Sequence, residues 1–332
     1  MVLRIERVDS PALLSAAAPL LVALLAGVIA GLLRLFPDPD GAVAALNRFC
    51  LYLAFPALIF ANVYEARLGQ LAAPGFVAAT ILPTLILIAA IGLLSRGPAK
   101  RGRLRSDDRA AMGLGAGLGN IAYLGIPLSA SVLGPQVIGL ASLCAALHIV
   151  VTIPLGTWTL LRWSDAGTND EGKNGAALAR TMRQPLVWAP ILGLLARALP
   201  EVVVAPVLGP CAWIGGAASP VALFVIGLYL HTHHRELLRL RLPDLAVIGG
   251  KLLVLPGLTL GCALLLRGRG WLDLEAAQVA VVQATMPTAI TTFALAEAYG
   301  IGRAAMVRTI VGSTVLFMIS FAVLAPTLLR LL

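Results

Sequence analysis

The sequence predicts an all-α polytopic membrane protein with about ten transmembrane helices. Composition is the first observation: 59% of the 332 residues are hydrophobic and only 12% are charged, and the mean hydropathy is +0.91. Soluble domains carry about 25% charged residues, so a water-soluble protein is excluded. The second observation is the recurrence of apolar runs about 20 residues long, the length that crosses a bilayer. The third is a matched series of prolines in the two halves of the chain.

Apolar runs bounded by charged or turn residues define the predicted spans. Their expected limits are 11–35, 42–62, 74–95, 109–133, 136–162, 185–200, 207–230, 244–266, 272–299 and 303–329. The first run is longer than the apolar region of a signal peptide, so it is interpreted as a spanning helix. Runs four and nine differ from the others because glycine, proline or polar residues interrupt them.

The positions of Lys and Arg predict the orientation. Basic residues concentrate in alternate connections, around residues 96–109, 162–183 and 235–241, and such connections are expected in the cytoplasm. The sequence therefore predicts an inner-membrane protein with both termini outside. Because the cations lie between apolar runs, the net charge of +9 does not indicate a nucleic-acid-binding surface.

Three pairs of prolines predict an internal repeat, each pair separated by about half the chain. The pairs are Pro19 with Pro185, Pro56 with Pro220, and Pro127 with Pro287. The predicted units are a first five-helix repeat at 1–163, a cytoplasmic connecting loop at 164–184 and a second five-helix repeat at 185–332. Since each repeat has an odd number of spans, the second would be inverted in the membrane.

The interrupted spans four and nine predict a substrate site. Inverted repeats with broken helices bind substrate near the middle of the bilayer, where helix ends present unpaired backbone groups. Gly125 and Pro127 are expected to break span four after Asn120, and Pro287 to break span nine. The helix after each proline would present free N–H groups and a positive dipole end, which attract a carboxylate. The candidate substrate-binding residues are Asn120, Gly125, Pro127, Gln283, Pro287, Thr288 and Thr291.

A different reading of the polar residues stays open. Asparagine and threonine in membrane helices also bond to neighbouring helices or to their own backbone. Lys251 is the clearest ionisable group within a predicted span and is a candidate for coupling or support, although its ammonium could instead snorkel to the cytoplasmic face. His148 is either a proton relay or a packed, hydrogen-bonded residue.

No metal site, cofactor or catalytic residue is predicted. The histidines at 231, 233 and 234 form either a metal site or, as favoured here, a solvated turn. The cysteines lack the close pair spacing of metal or redox motifs and are interpreted as buried small residues. They are Cys50, Cys144, Cys211 and Cys262.

GNIAYLGIPL in span four and MPTAITTFALAEAYG in span nine resemble the two crossover segments of the auxin efflux carrier family of plants and bacteria, which belongs with the bile-acid/sodium symporter-like folds. PALIF, QPL and KLLVLP also match habitual family positions, and the resemblance covers nearly the whole chain. It implies ten helices in a scaffold domain and a transport domain that each mix both repeats. It also implies substrate binding where spans four and nine cross, and elevator-like alternating access. One departure is Thr291, where the family commonly has asparagine.

The resemblance associates bacterial members with malonate or related carboxylates and plant members with auxin. We therefore expect a secondary carrier of a small organic anion, a mono- or dicarboxylate. The partners expected are this anion and the lipid bilayer, with proton or sodium coupling and a homodimer left open. The alternatives are a sodium-coupled organic-anion symporter, a channel or sensor, and a membrane-embedded enzyme. The enzyme is disfavoured because motifs such as HExxH and GxSxG are absent from the sequence.

Overall fold

A computed structural model describes residues 22–65, 74–164 and 183–332. Within these ranges the chain is helical, and the β-type pairing in them is an isolated bridge between Gly119 and Thr288. The predicted all-α class is therefore confirmed for the described residues. The start of predicted span one, with Pro19, and most of the predicted loop at 164–184 lie outside them.

The helices of the first half follow the predicted runs closely. Helix α1 is described over Val22–Leu32. It is followed by α2 at Pro39–Glu65, α3 at Pro74–Lys100, α4a at Ser106–Gly117, α4b at Ile121–Leu133 and α5 at Pro135–Trp163.

The helices of the second half include one that is much longer than predicted. They are α6 at Pro185–Ala196, α7 at Glu201–Arg239, α8 at Leu242–Gly268, α9a at Leu274–Ala284, α9b at Thr291–Tyr299 and α10 at Arg303–Arg330. Helix α7 joins Glu201–Gly216, Ala218–His233 and a 3-10 turn at His234–Arg239. Its ends extend well beyond the predicted run at 207–230.

Within the described residues, six helices are long and apolar enough to cross a membrane: α2, α3, α5, α7, α8 and α10. Shorter apolar helices are present at Val22–Leu32, Ile121–Leu133 and Pro185–Ala196. The chain is thus a multi-pass membrane protein. The count of ten spans goes further than this finding and stays a prediction.

Among the described helices, three contain a widened π turn that ends two residues before a proline. These turns are Cys50–Ala54 in α2, Ile121–Gly125 in α4b and Gly250–Val254 in α8. In each, the residue before the proline donates its N–H to a carbonyl five residues back. A proline ring collides with the carbonyl four residues earlier in a regular α-helix, and a π turn moves that carbonyl away. The helix therefore continues through the proline.

The expectation that Gly125 and Pro127 break span four is consequently wrong. Helix α4a ends at Gly117 and α4b begins at Ile121. Gly125 lies in the π turn of α4b, and Pro127 lies in the first turn of the α-helical stretch that follows. The physical reason is that the widened turn accommodates the proline, so the break occurs earlier, at residues 118–120.

One group of helices, α1, α2, α6 and α7, packs through close backbone contacts. A Cβ atom at Gly27 of α1 would lie 2.0 Å from the Phe224 carbonyl oxygen of α7. A Cβ atom at Gly227 of α7 would lie 1.9 Å from the Leu24 carbonyl oxygen of α1. Glycine on both sides is what allows these two helices to touch.

A second group contains α3, α4, α5, α8, α9 and α10. In this group α8 and α10 are joined by a buried ion pair, in which Arg308 Nε donates to Asp244 Oδ2 over 2.6 Å. Between the groups, Asn62 of α2 donates to Ser142 of α5 over 2.8 Å. The two groups are therefore packed against each other as well as within themselves.

Candidate functional site

The interrupted helices α4 and α9 meet at their breaks, and we call residues 118–120 and 285–290 the break junction. Asn120 N–H donates to the Pro287 carbonyl over 2.7 Å, and Ala289 N–H donates to the Leu118 carbonyl over 3.0 Å. Gly119 and Thr288 form the antiparallel bridge between these bonds. Non-helical backbone inside a membrane needs such partners, because lipid offers none.

Four helix ends converge at the break junction. The C-terminal ends of α4a and α9a enter it, and the N-terminal ends of α4b and α9b leave it. The first N–H groups of a helix have no partner in their own helix, and the positive dipole end favours anions. The arrangement therefore provides two anion-attracting backbone ends close to each other.

Asn120 lies at the N-cap of α4b and is only 3% exposed. Its backbone carbonyl accepts from the N–H groups of Leu124 and Gly125. In the part of the chain that the structure describes, no hydrogen bond engages the Asn120 side-chain amide. This buried amide is thus available to a ligand at the break junction.

Thr288 is fully buried, and its hydroxyl already has a partner in the protein. Thr288 Oγ1 donates to the Gly115 carbonyl of α4a over 3.4 Å, and its backbone N–H donates to Ser313 Oγ of α10 over 3.1 Å. This matches the alternative that a threonine bonds to a neighbouring helix. Ser313 was not singled out from the sequence, where nothing distinguishes it from other helical serines.

Gln283 and Gly125 are in contact. A Cβ atom at Gly125 would lie 1.9 Å from Gln283 Oε1. Gln283 is 2% exposed, its Nε2 donates to the Ala141 carbonyl over 3.5 Å, and its Oε1 has no hydrogen-bond partner among the described residues. The pair therefore leaves one buried acceptor open between α4b, α5 and α9a.

The remaining predicted site residues differ in burial. Pro287 is buried in the break junction, where its carbonyl accepts from Asn120. Thr291 begins α9b and is partly exposed, as is Pro127 in α4b. The structure thus brings Asn120, Pro287 and Thr288 together at the break junction.

Lys251 of α8 lies beside the break junction. It is 1% exposed, and its Nζ donates to the Ala116 carbonyl at the end of α4a over 3.2 Å. A Cβ atom at Gly119 would lie 3.2 Å from Nζ. The alternative in which Lys251 snorkels to the cytoplasmic face is therefore wrong, because the side chain extends into the protein interior.

The histidines are the remaining polar candidates. His148 is 6% exposed and its Nε2 lies 3.0 Å from Thr84 Oγ1, which fits a packed, hydrogen-bonded residue. Across the described ranges, no three metal-ligating side chains cluster. A cavity of about 670 Å³ lies at the ends of α7 and α10. It is lined by His233, Glu236, Arg239, Arg241, Ala304, Val307 and Arg308.

Comparisons with known proteins give consistent results. The family model described as "Membrane transport protein" matches residues 12–325. An "Uncharacterized transporter" of Methanothermobacter thermautotrophicus is 27% identical over 285 residues, which is 83% of this chain and 85% of that protein. "Uncharacterized transporter YfdV" of Escherichia coli K12 is 26% identical over 318 residues, covering 93% and 94%. A "Putative malonate transporter" of Rhizobium meliloti is 28% identical over 293 residues, covering 85% and 86%.

Proposed function

We propose that this chain, which belongs to the membrane transport protein family, is a secondary carrier of a small organic anion. This family is the auxin efflux carrier family, which the segments at 119–128 and 286–300 resemble. The substrate is a mono- or dicarboxylate. It binds at the break junction, against the N-terminal ends of α4b and α9b and the Asn120 amide. Alternating access to this site moves it across the bilayer.

The observation that carries the proposal is the pairing of the two breaks. The bonds from Asn120 to Pro287 and from Ala289 to Leu118 hold the ends of four half-helices together. Two positive helix ends then meet at a junction of buried residues, where they would interact more strongly with an anion than in solvent. This supports a carboxylate substrate in particular, because a carboxylate accepts several N–H bonds at once.

We further propose ten helices in two inverted five-helix repeats, with both termini outside a bacterial inner membrane. The group α1, α2, α6 and α7 is the scaffold, and the group that carries the break junction is the transport domain. The glycine contacts between α1 and α7 support a rigid scaffold. The transport domain then slides along it in an elevator-like movement.

Malonate is the first substrate to test. One relative is named a "Putative malonate transporter", and malonate is a small dicarboxylate of the class proposed here. Asn120 and Thr291 would contact it, although Thr291 stands where the family commonly has asparagine. Gln283 and Gly125 support the wall of the site.

We propose that sodium does not drive this transport. Asp244 is the buried carboxylate among the side chains that the structure describes, and both of its oxygens accept from Arg308. A carboxylate held in this way is not free to bind a cation. Protons, the membrane potential or the substrate gradient alone then supply the driving force.

Uptake into proteoliposomes tests the proposal. Purified protein is reconstituted, and flux is measured for radiolabelled malonate, succinate, acetate and indole-3-acetate, with and without sodium. We expect saturable uptake of one or more acids above empty vesicles, unchanged by sodium. Folded protein that moves none of these acids would contradict the assignment, and a flux that never saturates would indicate a channel.

The variant Asn120→Ala localises the site in the same assay. We expect loss of more than about 90% of the flux, because a buried amide that orients a charged ligand contributes about 1.5–3 kcal/mol. Thr259→Ala is the matched control, since the Thr259 hydroxyl is buried but donates only to the Leu255 carbonyl of its own helix. Full activity of the Asn120 variant would remove this residue from the site.

A further inference from the structure

Lys251 places a basic amine in the protein interior, where the described protein provides no carboxylate counter-ion. Its side chain is 1% exposed. Among the residues that the structure describes, no carboxylate lies within ion-pair distance of Nζ. The ion pairs found there join Asp or Glu to histidine or arginine side chains. A buried charge without a partner is costly, and charged groups inside membrane proteins are usually paired or functional.

The hydrogen bonds of Lys251 are also incomplete. An ammonium group has three N–H donors, and the acceptor found for Nζ in the described chain is the Ala116 carbonyl alone. That carbonyl belongs to the last turn of α4a, where the negative end of the helix dipole favours a cation. When Lys251 is protonated, the helix end therefore stabilises its charge in part, and two of its N–H donors have no acceptor among the described residues.

The open donors lie next to the break junction. Nζ is 3.2 Å from the position of a Cβ atom on Gly119, the residue that forms the bridge with Thr288 and precedes Asn120. A larger side chain at Gly119 would fill the space between the ammonium group and the break. The absence of a side chain at this position leaves a short path from Lys251 to an anion bound beside Asn120.

We propose that Lys251 is the counter-ion of the bound carboxylate, so that this residue sets the preference of the carrier for an anion over a neutral molecule of the same shape. The inference rests on the proposed function, since it needs substrate at the break junction. The ammonium group adds a full positive charge to the two helix ends. Lys251 then determines specificity for an anion, because the helix dipoles alone do not provide a full positive charge.

A purely structural role for Lys251 makes a different prediction. If the side chain only caps α4a, then a neutral residue that still donates to the Ala116 carbonyl should serve equally well. Lys251→Gln is this variant, because glutamine keeps an N–H donor and loses the charge. Lys251→Arg keeps the charge. Lys100→Gln is the matched control, since this substitution makes the same chemical change at an exposed residue, the last one of α3.

The experiment measures binding of malonate and of malonamide, its neutral diamide, to each purified protein by ligand-induced thermal shift and calorimetry. We expect wild type and Lys100→Gln to prefer malonate. Lys251→Gln should bind malonate about 10- to 100-fold more weakly, which is the effect of losing a charged hydrogen-bond partner. Its affinity for malonamide should change little, so the preference for the anion collapses. Lys251→Arg should retain more of the preference than Lys251→Gln.

The outcomes separate the two proposals. If wild type binds no carboxylate in this assay or in transport, the proposed function fails. If wild type binds malonate and Lys251→Gln binds it equally well, Lys251 is a cap and the inference is overturned. Lys251→Met, which fills similar volume without a donor, replaces the glutamine variant if that variant does not fold. Failure of both neutral variants to fold while Lys251→Arg folds would assign the charge to the fold and also overturn the inference.

Discussion

Asn120 and Thr288 lie on the two sides of the break junction, but their side chains have different surroundings. The Thr288 hydroxyl donates to the Gly115 carbonyl, so it contributes to holding α4a in place. Within the described chain the Asn120 amide makes no such bond. Asn120 is therefore the better candidate for a ligand contact. Its amide can bind a ligand directly, whereas the Thr288 hydroxyl must first break its hydrogen bond to the Gly115 carbonyl.

Gly125 provides a test of how tightly the wall of this site is packed. In Gly125→Ala the added Cβ would lie 1.9 Å from Gln283 Oε1, and Gln283 is itself buried. Overpacking of this kind costs about 1–3 kcal/mol, so we expect a lower melting temperature and reduced transport. Thermal melting in detergent, together with the flux assay, measures both effects.

The control for this substitution is Gly257→Ala in α8. A Cβ at Gly257 meets nothing within 4 Å, and alanine favours a helix more than glycine by up to about 1 kcal/mol. We expect an unchanged or higher melting temperature. Equal effects of the two substitutions would show that Gln283 moves aside freely, and that Gly125 is not a packing requirement.

Helices α8 and α10 act as a pair around the break junction. Lys251 on α8 donates to the Ala116 carbonyl, and Ser313 on α10 accepts from the Thr288 N–H. The same two helices are joined by Asp244 and Arg308, both of which are buried. The ion pair therefore fixes the position of α8 relative to α10, the two helices that contact the break junction through Lys251 and Ser313.

A double-mutant cycle measures this ion pair. Asp244→Asn or Arg308→Met alone leaves one buried charge without its partner, which costs about 3–5 kcal/mol. The double variant removes both charges, so we expect it to be more stable than the sum of the two single effects. Chemical unfolding in detergent gives the three values. Additive effects would mean that the two charges are stabilised independently of each other.

At the scale of the whole molecule, the sequence predicted the helical class, most helix positions and the interruption of runs four and nine. Periodicity and composition carry this information, since each helix must present an apolar surface about 20 residues long to the bilayer. The predicted break in α4 lies too late in the chain, because a proline ends a helix only if the preceding turn cannot widen. The turn at Ile121–Gly125 does widen. That depends on packing, which a single sequence does not encode locally.

The position of Lys251 shows the same limit. Its distance from the end of its run fits snorkelling and burial equally well, and only the placement of α4a beside α8 decides between them. Likewise, the role of Ser313 depends on a contact with Thr288, 25 positions away. Residue type identified the polar candidates, whereas tertiary contacts determine which of them are already engaged. Their roles in binding substrate stay predictions.

The proposed movement of two helix groups can be arrested by a cross-link. Asn62 of α2 and Ser142 of α5 lie in different groups, with Asn62 Nδ2 donating to Ser142 Oγ over 2.8 Å. In a background without the native cysteines, Asn62→Cys with Ser142→Cys should be joined by oxidation or by mercury. We expect the cross-link to abolish transport, preserve malonate binding and be reversed by reductant.

The single variants Asn62→Cys and Ser142→Cys, treated in the same way, are the controls and should transport normally. Undiminished flux through fully cross-linked protein would contradict a sliding movement at this interface, and the elevator proposal would then have to be abandoned.

The π turns in α2, α4b and α8 also bear on how such chains can change length. Each holds one residue more than the α-turn that it replaces, whereas loss of a residue elsewhere in a helix rotates everything beyond it by about 100°. A homologue without Pro56, Pro127 or Pro256 could therefore be one residue shorter at the corresponding turn and still present the same faces to its neighbours. Gaps in a family alignment should accordingly coincide with loss of these prolines, and the other helical positions should tolerate no gap.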